Sequence, residues 1–289
     1  MGFAYEAPRS AADAVGLLSE LAASNTRAQV LAGGTDVLVQ LRSVDDSPRT
    51  IVDIKGVAET RRWDIGADSV YIGAAIPGCE LHGNAELKAL FPGLVEAVDL
   101  IGSTQVQGRA SMGGNLCNAS PAGDSIPALI ANAGMCVIAT EAGTRELPVE
   151  AFVTGVGRNA LEPGEFLLGV RFPKPATTSG DAYLRFIPRT EMDIAVAGAG
   201  VRVTLDGDTC TDARVGIGAV APTALLVPDA AAALIGTTLD EAALRAAAEA
   251  CSEIARPISD KRGTADYRRK VVGVLCRRAA AIARDRARA

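Results

Sequence analysis

The chain has 289 residues, 48% of them hydrophobic, and a formal net charge of −5. This apolar content excludes a disordered chain, and the length favours two domains over one. The acidic balance argues against a general nucleic-acid binder, which needs concentrated positive charge. Because no apolar run is long enough to span a bilayer and the first residues show no signal-peptide pattern, we expect a cytoplasmic protein without membrane insertion.

Helices and strands alternate in the first half of the chain. Ser10, followed three residues later by Asp13, predicts the start of a helix over residues 10–24. A second helix is predicted at 92–101, where a proline opens it, and a third ends near residue 132. The predicted strands are apolar runs bounded by turn residues, at 28–32, 50–54, 70–74, 135–139 and 166–172.

A composition break at residues 173–180 predicts a domain linker, because two prolines, small polar residues and a glycine interrupt the apolar pattern there. Beyond it we expect an antiparallel meander of three strands joined by short turns. Two helices then finish the chain. The predicted strands are 182–187, 195–205 and 213–220, and the predicted helices are 240–256 and 264–285.

Two loops with paired glycines carry the chemistry of the first half. The sequence LAGGTD at 31–36 follows a predicted strand, and SMGGN at 111–115 follows a predicted helix. Glycine reaches positive φ without a Cβ penalty, and consecutive backbone N–H groups can then bind pyrophosphate without a lysine. Thr35, Ser111 and Asn115 add side-chain donors. One Gly-Gly pair alone would be read as a tight turn, but two such loops favour a phosphate-rich ligand.

Other nucleotide-binding motifs are not expected. Neither glycine pair is followed by the Gly-Lys-Ser/Thr of a Walker loop. Two further strings, at 155–160 and 216–221, fit the dinucleotide fingerprint with alanine last, but nearby prolines would stop the helix that this motif requires. Nicotinamide binding in the Rossmann manner is therefore not predicted.

No two of the six cysteines form a Cys-x-x-Cys pair. The single histidine is His82. Zinc ribbons and iron–sulfur clusters need clustered ligands, so no metal site is predicted in this chain. No catalytic residue is predicted either, because His82 has no evident serine or cysteine partner.

Three segments together resemble the FAD-binding medium subunit of molybdenum hydroxylases: the first glycine loop at 31–36, the segment 101–124 that contains the second glycine loop, and the segment 155–161. That family includes xanthine dehydrogenases and aerobic carbon monoxide dehydrogenases, and the resemblance covers nearly the whole chain. It implies an α+β fold: a two-subdomain FAD-binding domain of the vanillyl-alcohol-oxidase (PCMH) type, then a small C-terminal domain with a three-stranded antiparallel sheet and helices. The implied bounds are 1–175, with subdomains at about 1–57 and 58–175, and 180–285.

The resemblance also implies which residues contact FAD. Where the family often has Tyr-x-Lys, this chain has Tyr183-Leu184-Arg185, so whether Arg185 replaces the lysine at the flavin stays open. The segment 189–194 resembles the loop beside the isoalloxazine in xanthine dehydrogenases. Leu167 or Leu168 is implied near the adenine. The implied cofactor-binding residues are Ala32, Gly33, Gly34, Thr35, Asp36, Ser111, Gly113, Gly114, Asn115, Asn118, Asp124, Leu167, Arg185, Asp193 and Ile194.

The function implied is electron transfer. FAD in this chain would pass electrons from two [2Fe-2S] clusters on a small subunit to an external acceptor, while a molybdenum cofactor on a large subunit oxidises the substrate. A heterotrimer or a dimer of heterotrimers is implied. Two alternatives are a self-contained FAD-dependent oxidase or dehydrogenase that acts directly on a small substrate, and an assembly subunit that has lost its cofactor. The intact glycine loops disfavour the second alternative.

Overall fold

The computed structural model describes residues 3–42 and 48–289. Within these residues the chain begins with a parallel sheet of three strands and two helices. In chain order these elements are β1 (Phe3–Glu6), α1 (Ala11–Ala23), β2 (Arg27–Leu31), α2 (Val37–Arg42) and β3 (Arg49–Asp53). Because β3 lies between β1 and β2 and all three strands are parallel, their carboxyl ends meet at one edge of the sheet.

Helix α1 begins as the sequence predicts. The Ser10 hydroxyl accepts the N–H of Asp13 at 3.1 Å, which satisfies one free donor of the first turn. One face of the helix buries Val15 and Leu18 in a cluster that includes Val52 of β3 and Phe166 of a later strand. Helix α1 therefore packs the first sheet against the second.

The middle of the chain forms a second sheet, which is antiparallel. A group of helices lies in the sequence between two of its strands. Its elements are β4 (Trp63–Ile65), β5 (Ser69–Gly73), α3 (Gly78–Gly83), α4 (Ala85–Leu90), α5 (Pro92–Asp99), α6 (Thr104–Gln107), α7 (Met112–Asn118), α8 (Ser125–Ala131), β6 (Met135–Thr140), β7 (Gly143–Pro148), α9 (Val149–Phe152), β8 (Val153–Gly155), β9 (Arg158–Asn159) and β10 (Phe166–Pro173). The sheet order is β4-β5-β10-β6-β7, and β8 and β9 form a separate hairpin.

The last part of the chain is an antiparallel sheet covered by helices. Its elements are β11 (Ser179–Phe186), β12 (Ala197–Asp206), β13 (Thr209–Gly218), β14 (Leu225–Leu226), α10 (Pro228–Leu234), α11 (Glu241–Ile254) and α12 (Ala265–Ala287). The sheet has four strands in the described chain, so the expectation of three was wrong by one. Strand β14 is two residues long, which is too short to show an alternating pattern in the sequence.

Glycines of this four-stranded sheet allow α8 to pack on it. A Cβ on Gly216 would lie 2.4 Å from the carbonyl oxygen of Pro127, and one on Gly200 would lie 2.8 Å from the same oxygen. Gly216 belongs to one of the strings that resemble a dinucleotide fingerprint, and it lies in β13 rather than at the start of a helix. Close packing of α8 thus accounts for this glycine.

A buried carboxylate joins the middle and last parts of the molecule. Asp181 of β11 is 4% exposed and accepts the N–H groups of Gly93 and Leu94 at 2.9 and 3.0 Å, at the start of α5. It also accepts the Asn132 side-chain amide at 2.8 Å. Burial raises the pKa of Asp181, although these donors oppose the shift.

Among the described residues, no helix combines the length and the apolar character that crossing a membrane requires.

Candidate cofactor site

A cavity of about 490 Å³ lies between the loop that follows β2 and the loop that begins α7. This volume falls within the range of roughly 300–1,000 Å³ that is common for small-molecule sites. The structure therefore brings the two glycine loops together around one space. The predicted site residues that line it are Ala32, Gly33, Gly34, Thr35, Asp36, Ser111, Gly113, Gly114, Asn115, Asn118 and Leu167.

Two of the four loop glycines are needed for protein packing. A Cβ on Gly33 would lie 2.0 Å from the carbonyl oxygen of Arg109, so this glycine lets the first loop touch the segment before the second. A Cβ on Gly113 would lie 2.6 Å from the Cα of Ala74, just after β5. Close approach of the protein backbone, rather than of a ligand, therefore requires glycine at these two positions.

The other two glycines have different surroundings. Gly34 has a φ of +80°, a conformation that side chains rarely adopt. Apart from its neighbours and the nearby backbone of α7, a Cβ on Gly114 would meet only the Ser111 hydroxyl within 4 Å among the described residues, at 3.0 Å. Because Gly114 also lines the cavity, a side chain at this position would extend into the cavity.

The first loop presents backbone donors. Its carbonyls are used by α2, since the N–H of Leu38 donates to Gly34 and the N–H of Gln40 donates to Asp36, both at 2.9 Å. In contrast, the N–H groups of residues 33–36 donate to no acceptor within the described chain. Successive N–H groups without a protein acceptor are the arrangement that binds anionic oxygens.

The second loop is organised by Ser111 and Asn115. Ser111 caps α7, because its hydroxyl accepts the N–H of Gly114 at 3.1 Å. The side-chain oxygen of Asn115 accepts the hydroxyl of Ser125 at 2.8 Å, which ties α7 to α8. This leaves the amide NH₂ of Asn115, a cavity-lining residue, without an acceptor among residues 3–42 and 48–289.

A row of amides along the cavity contains Asn118, which the resemblance implied, and three residues that were not predicted as site residues, namely Gln29, Gln40 and Asn159. Gln29 donates to Gln40 at 2.7 Å, and Gln40 donates to Asn118 at 3.3 Å. Asn159 of β9 lines the same cavity and donates to the carbonyl of Cys117 at 3.0 Å. Gln29 lies within a strand and Gln40 within a helix, and no motif distinguishes either residue from a surface glutamine.

Among the cavity-lining residues that the structure describes, two have titratable side chains. Burial raises the pKa of the Asp36 carboxyl above its ordinary value. Burial also raises the pKa of the Cys117 thiol to about 12, so this cysteine is a protonated thiol at neutral pH. A protonated thiol is a poor nucleophile, which agrees with a packing role for the half-buried Cys117.

This set of groups fits FAD. The N–H groups of residues 33–36 suit the pyrophosphate, and the side-chain amides suit ribose or ribityl hydroxyls. The remaining wall is apolar and suits planar rings; it is formed by Ile54, Ile101, Leu161, Phe166 and Leu167.

Comparison with known proteins assigns the chain to a family. Residues 1–175 match the FAD binding domain in molybdopterin dehydrogenase, and residues 182–283 match the CO dehydrogenase flavoprotein C-terminal domain. The chain belongs to the FAD-binding subunits of molybdenum hydroxylases. It is thus an oxidoreductase subunit that carries FAD.

Individual relatives are similar in sequence to this protein along almost its whole length. The protein is 35% identical to the carbon monoxide dehydrogenase medium chain of Afipia carboxidovorans, over 99% of this chain and 98% of that one. It is 32% identical to the xanthine dehydrogenase FAD-binding subunit of Escherichia coli O157:H7, over 95% of this chain and 93% of that one. Reconstituted CO dehydrogenase from Oligotropha carboxidovorans superimposes with a TM-score of 0.93 and 33% identity, covering 99% of both chains.

Two residues that the family resemblance implied lie outside the cavity lining. Asp124 accepts the hydroxyl of Tyr183 at 3.0 Å and the guanidinium of Arg185 at 2.6 Å, in a buried cluster between α8 and β11. Burial raises the pKa of Asp124 to about 6, against the effect of Arg185 and Tyr183. Contact of Asp124 and Arg185 with the flavin stays a prediction.

Three further residues, Leu168, Asp193 and Ile194, also lie outside the cavity lining. Asp193 accepts Arg262 at 3.0 Å and Arg189 at 3.3 Å, and Ile194 is 54% exposed. Leu167 lines the cavity, whereas Leu168 is buried among the residues that pack α1 on the second sheet. The roles of Asp193 and Ile194 beside the flavin stay predictions.

Proposed function

We propose that this chain transfers electrons within a molybdenum-containing hydroxylase or dehydrogenase, and that it holds FAD in the cavity between its two glycine loops. The run of unused N–H groups at residues 33–36, beside that cavity, carries the proposal. Bound FAD supplies the redox chemistry, since a flavin can accept electrons singly and release them in pairs.

The chain's own residues bind and orient the cofactor in this proposal. The N–H groups of residues 33–36 donate to the pyrophosphate, and Ser111 holds the start of α7 in place. The Asn115 amide and the Gln29, Gln40 and Asn118 amides donate to sugar or ribityl oxygens. The apolar wall, which includes Phe166 and Leu167, excludes water from the rings.

We propose two partner subunits: a large subunit with the molybdenum cofactor, and a small subunit with two [2Fe-2S] clusters, in a heterotrimer or a dimer of heterotrimers. The names of the relatives support an assembly, because they describe a medium chain, an FAD-binding subunit and an FAD-subunit. The relatives also include a caffeine dehydrogenase subunit and a nicotinate dehydrogenase subunit. We propose that substrate choice belongs to the molybdenum subunit, and the different substrates in these relatives' names support this.

The test is purification of the natively expressed chain with whatever accompanies it, followed by an absorbance spectrum and metal analysis. FAD together with molybdenum, iron and two additional polypeptides is the expected result. FAD on a chain that purifies alone and oxidises a small substrate would instead support the self-contained oxidase.

A further inference from the structure

We propose that Lys55 is a positioning residue for FAD: it anchors the carbonyl of Ala32 and so sets the direction of the first N–H donor in the glycine loop. The inference rests on the proposed cofactor site. Lys55 does not line the cavity, and it belongs to none of the motifs that identify the family.

The order of the strands places Lys55 next to the first glycine loop. The parallel pairing of β2 and β3 places Leu31 opposite Asp53, so both strands end at the same edge of the sheet. The glycine loop continues from Leu31, and Lys55 lies in a short 3₁₀ turn that follows Asp53. Two segments that leave neighbouring strands at one edge are therefore in reach of one lysine side chain.

All three ammonium protons of Lys55 have acceptors. Its Nζ lies 2.7 Å from each carboxylate oxygen of Asp53 and 3.1 Å from the carbonyl oxygen of Ala32. Because these three bonds use every Nζ proton, Lys55 is placed to hold the loop rather than to contact a phosphate itself.

Asp53 is held in turn by Tyr5 and by the backbone. The hydroxyl of Tyr5 donates to Asp53 at 2.6 Å, and the N–H of Lys55 donates to it at 3.0 Å. Burial would raise the pKa of Asp53, but the bonds from Lys55 and Tyr5 outweigh burial and hold it below its ordinary value. The carboxylate is therefore ionised at neutral pH and keeps Lys55 in one position.

The bond from Lys55 matters because it fixes the orientation of the peptide between Ala32 and Gly33. In a planar trans peptide the C=O and the following N–H point in opposite directions. The bond from Lys55 to the Ala32 carbonyl therefore turns the Gly33 N–H away from Lys55. A peptide next to glycine can rotate easily, since glycine lacks a Cβ, so the loop sequence alone does not fix this orientation.

The experiment compares FAD binding by the full-length chain and by variants freed of FAD. K55M keeps the length of the side chain and removes the ammonium. K174M is the matched control, because Lys174 also donates to a backbone carbonyl, that of Gly66, at 3.1 Å, and lies elsewhere on the surface. The measurements are the dissociation constant for FAD, the ³¹P NMR shifts of the bound pyrophosphate and the melting temperature of the FAD-free protein.

We expect K55M to weaken FAD binding by about tenfold or more and to shift the pyrophosphate resonances, because the Ala32 carbonyl loses its charged hydrogen bond and the Gly33 N–H is no longer held in one direction. K174M should match the wild type in both respects. Y5F, which removes only the bond that steadies Asp53, should weaken binding by about threefold. Tyr5 is 55% exposed, so this second variant keeps the test valid even if K55M fails to fold.

Wild-type affinity and unchanged ³¹P shifts in a folded K55M, or in Y5F when K55M does not fold, would overturn the role of Lys55 and leave the proposed cavity intact. A wild-type chain that binds no FAD would overturn the cavity as well. The two failures are therefore distinguishable.

Discussion

The carbonyl oxygen of Arg109 lies 2.0 Å from the position that a Cβ on Gly33 would occupy. The first glycine loop is thus in direct backbone contact with the segment just before the second loop, although the two are far apart in sequence. The donors of the first loop are therefore held in place relative to the second loop by protein packing.

Replacing Gly33 with alanine should separate the loops. We expect a loss of about 1–3 kcal/mol in the free energy of unfolding, the usual cost of forcing extra atoms into a packed site, and weaker FAD binding. Urea unfolding and FAD titration would measure both effects. G16A is the matched control, because a Cβ on Gly16 would meet no atom of the described chain within 4 Å outside its two neighbours and the nearby backbone of α1. Equal behaviour of G33A and G16A would contradict this account of Gly33.

Replacing Gly114 with valine should deplete FAD while leaving the fold largely intact. The new side chain would meet only the Ser111 hydroxyl before it enters the cavity. We expect at least a tenfold rise in the FAD dissociation constant, about 1.4 kcal/mol, and a nearly unchanged far-UV circular dichroism spectrum. G16V controls for a valine in a helix. Full flavin occupancy in G114V would remove the reason for placing FAD beside this loop.

Replacing Asp181 with alanine should destabilise the protein without a direct effect on the cavity. The change leaves the N–H groups of Gly93 and Leu94 and the Asn132 amide without their acceptor. We expect a loss of about 3 kcal/mol or more, measured by thermal or urea unfolding. D181N should also be destabilising, because an amide NH₂ would face donors only. A D181N variant as stable as the wild type would show that these bonds contribute little.

The pKa of Asp124 predicts a specific pH dependence. Because burial raises this pKa from 3.8 to about 6, the folded state binds the proton more tightly than the unfolded state. This group's contribution to stability is therefore largest below pH 4 and is lost as the pH rises through about 6. D124N cannot titrate, so the wild type should lose up to about 3 kcal/mol relative to D124N over that range.

Urea unfolding of both proteins at several values between pH 4 and pH 7 would measure this difference. The opposite slope, with the wild type gaining stability relative to D124N as the pH rises, would show that Arg185 outweighs burial and lowers the pKa of Asp124.

The elements with a strong local signal were predictable from the sequence. The helix expected at 264–285 is α12, and the one expected at 10–24 is α1. Strand β1 was missed because it is exposed along its length and shows no alternation. The position of β10 between β5 and β6 depends on long-range pairing, for which the sequence carries no local signal.

A glycine with a positive φ was predictable in the first loop, and Gly34 has one. The supporting side chains were not predictable. Lys55 and Gln29 depend on which strands lie side by side, and each looks like an ordinary polar surface residue in the sequence. The role of Gly33 was predictable only in part, because its necessity comes from contact with Arg109 rather than from the ligand.

The most direct test of the central claim is amide hydrogen exchange of the full-length chain with and without FAD. Without FAD, the N–H groups of residues 33–36 should exchange rapidly, since they donate to no acceptor within the described chain. Addition of FAD should slow their exchange by about tenfold or more while α11 and α12 stay unchanged. Tight binding of FAD that leaves the exchange of residues 33–36 unaltered would contradict the proposed site.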